Sequence, residues 1–177
     1  NGAVRLTNRF DQPIQISKNK KLYSALTGEG SSFLMETVVD GFEEVQRLMQ
    51  CAKTVILALG CHPMVNAKEE IDRTTLALPP HQEKLAKMIC KIKPDAICVL
   101  FSNYPYTIHS VQNTLPAIVW SATGSQDMGT AMAQTLYCKN APAGRLNMTW
   151  YNSDDDLPDI DDYDIIRGKR TYRYFDK

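Results

Sequence analysis

Glu69, Glu70 and Asp72 lie within one short stretch, interleaved with Lys68 and Arg73. Crowded carboxylates disfavour one another's ionisation and raise their pKa values, while adjacent cations oppose that shift. A carboxyl group held between those two influences can deliver and recover a proton, which is the work of a general acid/base. The same cluster also suits a solvated loop with local ion pairs, which are common and weak. Residue types alone leave both readings open.

The surrounding elements say where the cluster sits. Thr54–Leu59 is a continuous apolar run that ends at Gly60. A polar loop follows, and Pro79 can occupy the first turn of a helix whose face carries Leu85, Met88 and Ile89. Upstream, Asp40 is a plausible N-cap for a helix with Phe42, Val45, Leu48 and Met49 at helical spacing. Ala96–Phe101 and Ala117–Trp120 are two more apolar strands, and Leu146–Trp150 reads as a fourth. Gly124-Ser125 precedes a helix with Met128, Met132, Ala133 and Leu136, and is expected to help cap it. Solid apolar strands alternating with helices predict an α/β fold, a mostly parallel sheet sandwiched by helices. Ligands gather at the carboxyl ends of such strands. The loops there are Gly60–Leu78, which holds the carboxylates, Ser102–Thr107 and Ser121–Asp127.

Residues 1–38 read differently from 39–177. Val4 and Leu6, Ile14 and Ile16, then Phe33 and Met35 follow period-two alternation between turn residues such as Asp11-Gln12-Pro13 and Lys18-Asn19-Lys20. Three or four short strands are expected, too few to bury a core of their own.

Composition excludes several functions. The 20 basic and 20 acidic residues cancel, so no electrostatic footprint for nucleic acid or a membrane surface is expected. No apolar run approaches the ~20 residues of a membrane span. Five cysteines, an odd number without a CxxC, read as reduced thiols in a cytoplasmic protein. Leu59-Gly60-Cys61 lacks a phosphate-cradling motif, and His62, His81 and His109 lack metal-ligand spacing. No cofactor or metal is called for. G-x-S-x-G is absent, which removes the usual nucleophilic serine. The tail DDDLPDIDDYD reads first as a solvated face, although Asp with Tyr also lines sugar sites.

Several segments, in order, resemble the second domain of glycoside hydrolase family 3. They are Val55–Pro79 with Asp72-Arg73 and Leu76-x-Leu78-Pro79; Pro79-x-x-Gln82-x-x-Leu85; Ala117-Ile118-Val119-Trp120 with Gly124-Ser125-Gln126; Asn140–Leu146; and Asp164-Ile165-Ile166 with Tyr172–Asp176. Together they cover residues 41–177. His62-Pro63, Asn66 and Ser102-Asn103-Tyr104-Pro105-Tyr106 are most similar to the family's bacterial β-xylosidase-like and β-glucosidase-like branch. Residues 1–38 are similar to one repeat of a fascin-like β-trefoil, the tail of an inserted module.

The resemblance implies a retaining β-glycosidase acting on terminal β-linked sugars, with a carbohydrate as its partner. A (β/α)₈ barrel supplies the nucleophilic aspartate and this domain supplies the acid/base. In such enzymes the two carboxyl groups lie about 5–5.5 Å apart. Carried over from Asp72-Arg73, the acid/base is Glu69, with Glu70 as runner-up, because Ile71 stands where the family often has glycine. Asp72, Arg73, Tyr104 and Trp120 are the expected substrate-binding residues, Tyr106 being a further aromatic candidate. Nothing here matches the barrel, and the chain begins at Asn1 and stops at Lys177 without a capping element. It is therefore expected to be a piece of a longer enzyme, inactive alone. The alternative is a non-catalytic α/β module that binds sugar or serves as a scaffold.

Overall fold

The computed structural model describes residues 3–8, 10–62 and 73–175. It divides into two compact units, Asn1–Glu44 and Val45–Lys177. In the first, β1 (Ala3–Arg5) pairs antiparallel with β4 (Ser32–Leu34), and β2 (Ile14–Ile16) with β3 (Leu22–Ser24). Lys20 takes a left-handed φ of 59° in the turn between β2 and β3, inside the expected Lys18-Asn19-Lys20 signal. None of its described residues is buried, and Leu26 and Val38 are more than four-fifths exposed. Two pairs of three-residue strands have too little apolar surface to enclose a core.

Helix α1 (Gly41–Cys51) begins where Asp40 Oδ1 accepts the Phe42 N–H at 2.8 Å. Its Met49 is buried. In the second unit, β5 (Ile56–Gly60), β6 (Ile97–Phe101) and β7 (Ala117–Ser121) form a parallel sheet in that order. Leu57 and Leu59 on β5 are buried while Ile56 and Ala58 are exposed. The central strand β6 buries Cys98, Val99 and Leu100 in succession, so it is covered on both faces. Leu57, Leu59, Cys98 and Leu100 share one core with Met49 of α1, Ala86 and Ile89 of α2 (Pro80–Ile92), and Val111 of α3 (His109–Gln112). No described helix is long and apolar enough to cross a membrane.

Three local expectations need correction. Leu146–Trp150 is irregular and pairs with no strand. It attaches through side chains instead: Trp150 packs edge-on against Trp120 at 6.0 Å, and the Thr149 hydroxyl donates to the Arg170 carbonyl at 3.4 Å. Helix α4 (Met128–Leu136) has no side-chain cap. Ser125 contributes only its carbonyl, which accepts the Met128 N–H at 3.1 Å. Pro79 occupies the cap position of α2, and Pro80 takes the first turn, where a missing N–H costs nothing.

Candidate active site

The parallel register sets Gly60, Phe101 and Ser121 side by side at the carboxyl edge of the sheet. Gly60 has φ +143°, and a Cβ there would lie 1.9 Å from the Phe101 carbonyl oxygen. Only glycine tolerates that approach. The Gln82 side chain, one turn into α2, brackets the same residue. Its Oε1 accepts the Gly60 N–H at 3.0 Å and its Nε2 donates to the Gly60 carbonyl at 2.8 Å. Cys61 N–H then donates to Phe101 O at 3.0 Å. The upstream stem of the carboxylate loop is thus fixed by both a neighbouring strand and a helix.

Glu69, Glu70 and Asp72 lie outside the described residues. The chain is described again from Arg73, whose guanidinium carbon stands 3.6 Å from the centroid of the Tyr104 ring and 4.9 Å from that of Tyr106. The two rings meet edge to face at 5.5 Å. A planar cation over an aromatic face is an electrostatic attraction that strengthens as water is removed. Tyr106 is fully buried. Arg73 Nη1 and both phenol hydroxyls are buried without a hydrogen-bond partner among the described residues. Burial, with the nearby Cys61 thiol and Tyr106 hydroxyl adding, pushes Tyr104 well above the usual phenol range. Burial also raises Tyr106, against a smaller opposing effect of the Tyr104 hydroxyl and the Arg73 charge.

Beyond Arg73, Leu76 O accepts the Thr107 N–H at 2.8 Å, and Ala77 forms a parallel bridge with Thr107. This ties the downstream stem of the loop to the loop that follows β6. That second loop is itself knotted at Ser102, which is fully buried. Ser102 Oγ donates to Tyr104 O at 2.6 Å and accepts from Trp120 Nε1 at 3.1 Å. Asn103 Oδ1 accepts the Thr123 N–H at 2.8 Å, joining the third loop.

The structure therefore brings Arg73, Tyr104 and Tyr106 into one cluster. Trp120 stands apart from them, linked through Ser102. Its indole N–H is spent on that knot, and it also lines a cavity of about 780 Å³ between β7, α4 and residues 140–146. Two contributors were not singled out from sequence. Gln82 was visible only as a motif letter, and Asp154, which holds Thr75 and Leu76, was submerged in an acidic tail.

Residues 5–176 match the glycosyl hydrolase family 3 C-terminal domain. The chain is 36% identical over 105 residues to a xylan 1,4-β-xylosidase of Xylanibacter ruminicola, a match covering 59% of this chain and 12% of that protein. It is 32% identical over 190 residues to a probable exo-1,4-β-xylosidase of Aspergillus fumigatus, covering all of this chain and 24% of that one. The crystal structure of a Kluyveromyces marxianus β-glucosidase in complex with glucose superimposes with a TM-score of 0.62 at 25% identity, over 70% of this chain and 15% of that one. The chain thus spans about an eighth to a quarter of the length of the two xylosidases. These relatives come from a bacterium, a mould and a yeast, so they do not establish the expected bacterial origin. With residues 5–176 of 177 matched, the chain belongs to the C-terminal domain family of glycoside hydrolase family 3.

Proposed function

We propose that this chain is the acid/base-bearing domain of a retaining β-glycosidase of β-xylosidase or β-glucosidase type. Glu69 is the acid/base and Glu70 the runner-up, while the nucleophile belongs to a (β/α)₈ barrel elsewhere in the parent polypeptide. The observation that carries this reading is the seat of Arg73 on Tyr104 and Tyr106. It anchors the residue that follows Asp72 at the carboxyl edge of the sheet, where ligands gather in α/β folds. The named relatives are xylosidases and a β-glucosidase, which supports a carbohydrate substrate. In the first half-reaction the acid protonates the departing glycosidic oxygen while the nucleophile takes the sugar. In the second, the same carboxylate draws a proton from water. Tyr104 and Trp120 belong to this reading as sugar-facing aromatics, and Asp72 and Arg73 as polar contacts. A cytoplasmic setting rests on the odd cysteine count, and the fascin-like origin of residues 1–38 on their resemblance.

The test uses the parent enzyme and the isolated chain together. The isolated chain should not hydrolyse aryl β-glycosides, and robust turnover by it would defeat the proposal. In the parent enzyme, Glu69→Ala should slow substrates with poor leaving groups far more than activated ones, with azide restoring turnover. The same behaviour in Glu70→Ala instead moves the assignment by one residue.

A further inference from the structure

Asp154 opens a single 3₁₀ turn, Asp154–Asp156, in a tail whose composition suggests nothing but solvated acid. Its carboxylate nonetheless reaches 79 residues back along the chain. Oδ2 accepts the Thr75 hydroxyl, and Oδ1 accepts the Leu76 N–H at 2.8 Å. The Thr75 oxygen in turn accepts the Ala77 N–H at 3.0 Å. With the Thr107 contacts on the other side, Thr75–Ala77 is gripped from two directions, two residues after Arg73. A charged acceptor makes such bonds shorter and stronger than neutral ones.

Resting on the acid/base reading above, we infer that Asp154 is a positioning residue for the acid/base loop. It fixes the backbone at Thr75 and Leu76, which follow in sequence the stretch that carries Glu69, and so acts on the acid/base through the chain. Asp154 itself touches no substrate in this scheme.

The test compares Asp154→Ala and Asp154→Asn in the parent enzyme, on aryl glycosides of graded leaving-group acidity. Because small misplacements of catalytic groups cost up to about a hundredfold, Asp154→Ala should lower kcat/KM on poor leaving groups by about ten- to a hundredfold and leave dinitrophenyl glycosides within about twofold. Asp154→Asn should restore the rate, since asparagine keeps an oxygen for the Leu76 N–H and an amide that can donate to Thr75 Oγ1. An equal loss across all leaving groups overturns the inference, as does no loss, or an Asp154→Asn enzyme as slow as Asp154→Ala. If Glu69→Ala and Glu70→Ala both leave poor substrates unaffected, the acid/base reading falls and takes this inference with it. If one of those glutamates shows the leaving-group effect and Asp154→Ala does not, the inference alone falls.

Discussion

The Arg73 guanidinium carbon lies over the Tyr104 ring, 3.6 Å from its centroid, while the Tyr104 hydroxyl, in the same cluster, is buried without a hydrogen-bond partner among the described residues. The ring contributes its face, not its oxygen. Tyr104→Phe should therefore leave stability within about 0.5 kcal/mol of the parent or raise it, because the hydroxyl is buried with no well-formed hydrogen bond among the described residues. Tyr104→Ala, which removes the face, should cost about 2 kcal/mol or more through lost packing and the lost cation–π contact. Arg73→Lys should fall between them, since an ammonium does not stack as a plane. Urea unfolding midpoints of the three variants give the order.

Gly60→Ala should be among the most damaging small substitutions in this domain. The added methyl would sit 1.9 Å from the Phe101 carbonyl oxygen, at a φ that side chains rarely adopt. Backbone strain of that kind costs about 1–3 kcal/mol even before the clash is counted. Thermal unfolding, or loss of soluble protein, reports it. Unchanged stability would mean that the end of β5 is set differently.

Gln82 offers a pH-dependent test. Its amide donates to the Gly60 carbonyl and accepts the Gly60 N–H. In Gln82→Glu, an ionised carboxylate keeps the acceptor and turns the donor into a repulsion. The protonated acid can do both jobs, so folding should raise this carboxyl's pKa above its unfolded value. The contribution is then full below the unfolded pKa and is lost as pH rises through the folded one. The variant should approach the parent in stability near pH 4 and trail it by about 1–2 kcal/mol at neutral pH. A constant deficit at all pH values would contradict the bracket.

Alkaline conditions should unfold the domain earlier than its surface charges suggest. Burial pushes the Cys98 thiol from 9.0 up to about 11, and Tyr104 and Tyr106 are raised in the same sense. The unfolded chain then gives up these protons first, so it binds fewer of them than the native state and stability falls as pH rises. The decline attributable to Cys98 lies between about pH 9 and 11. Iodoacetamide at pH 8 gives a second readout. Cys51 and Cys138 are exposed and should label in the native state, whereas Cys98 should label only on unfolding.

How much of this was legible in the sequence depends on the range of the forces involved. The three sheet strands were readable because a parallel sheet buries solid apolar runs, and β6 is such a run from Ile97 to Phe101. The start of α1 was readable because an N-cap is a local bond, made by Asp40 to a residue two positions on. Leu146–Trp150 misled because its apolar residues serve side-chain docking, and alternation cannot distinguish that from a ladder. Among the site residues, the approach of Arg73 to Tyr104 was implicit in both belonging to loops at one sheet edge. The grip of Asp154 on Thr75 and Leu76 was not. It joins residues more than seventy positions apart, and composition presents Asp154 as one aspartate among many.

The two clasped stems have an evolutionary corollary. Gln82 and Phe101 secure the chain just before residue 63, and Tyr104, Thr107 and Asp154 secure it just after residue 72. Ten residues, 63–72, join the two stems in sequence. Doubling the length of a flexible segment between fixed ends costs only about 0.6 kcal/mol. Changes in chain length between two ends anchored in this way therefore cost little in closure entropy. A lineage could splice new sequence between these stems while the frame around them stays unchanged.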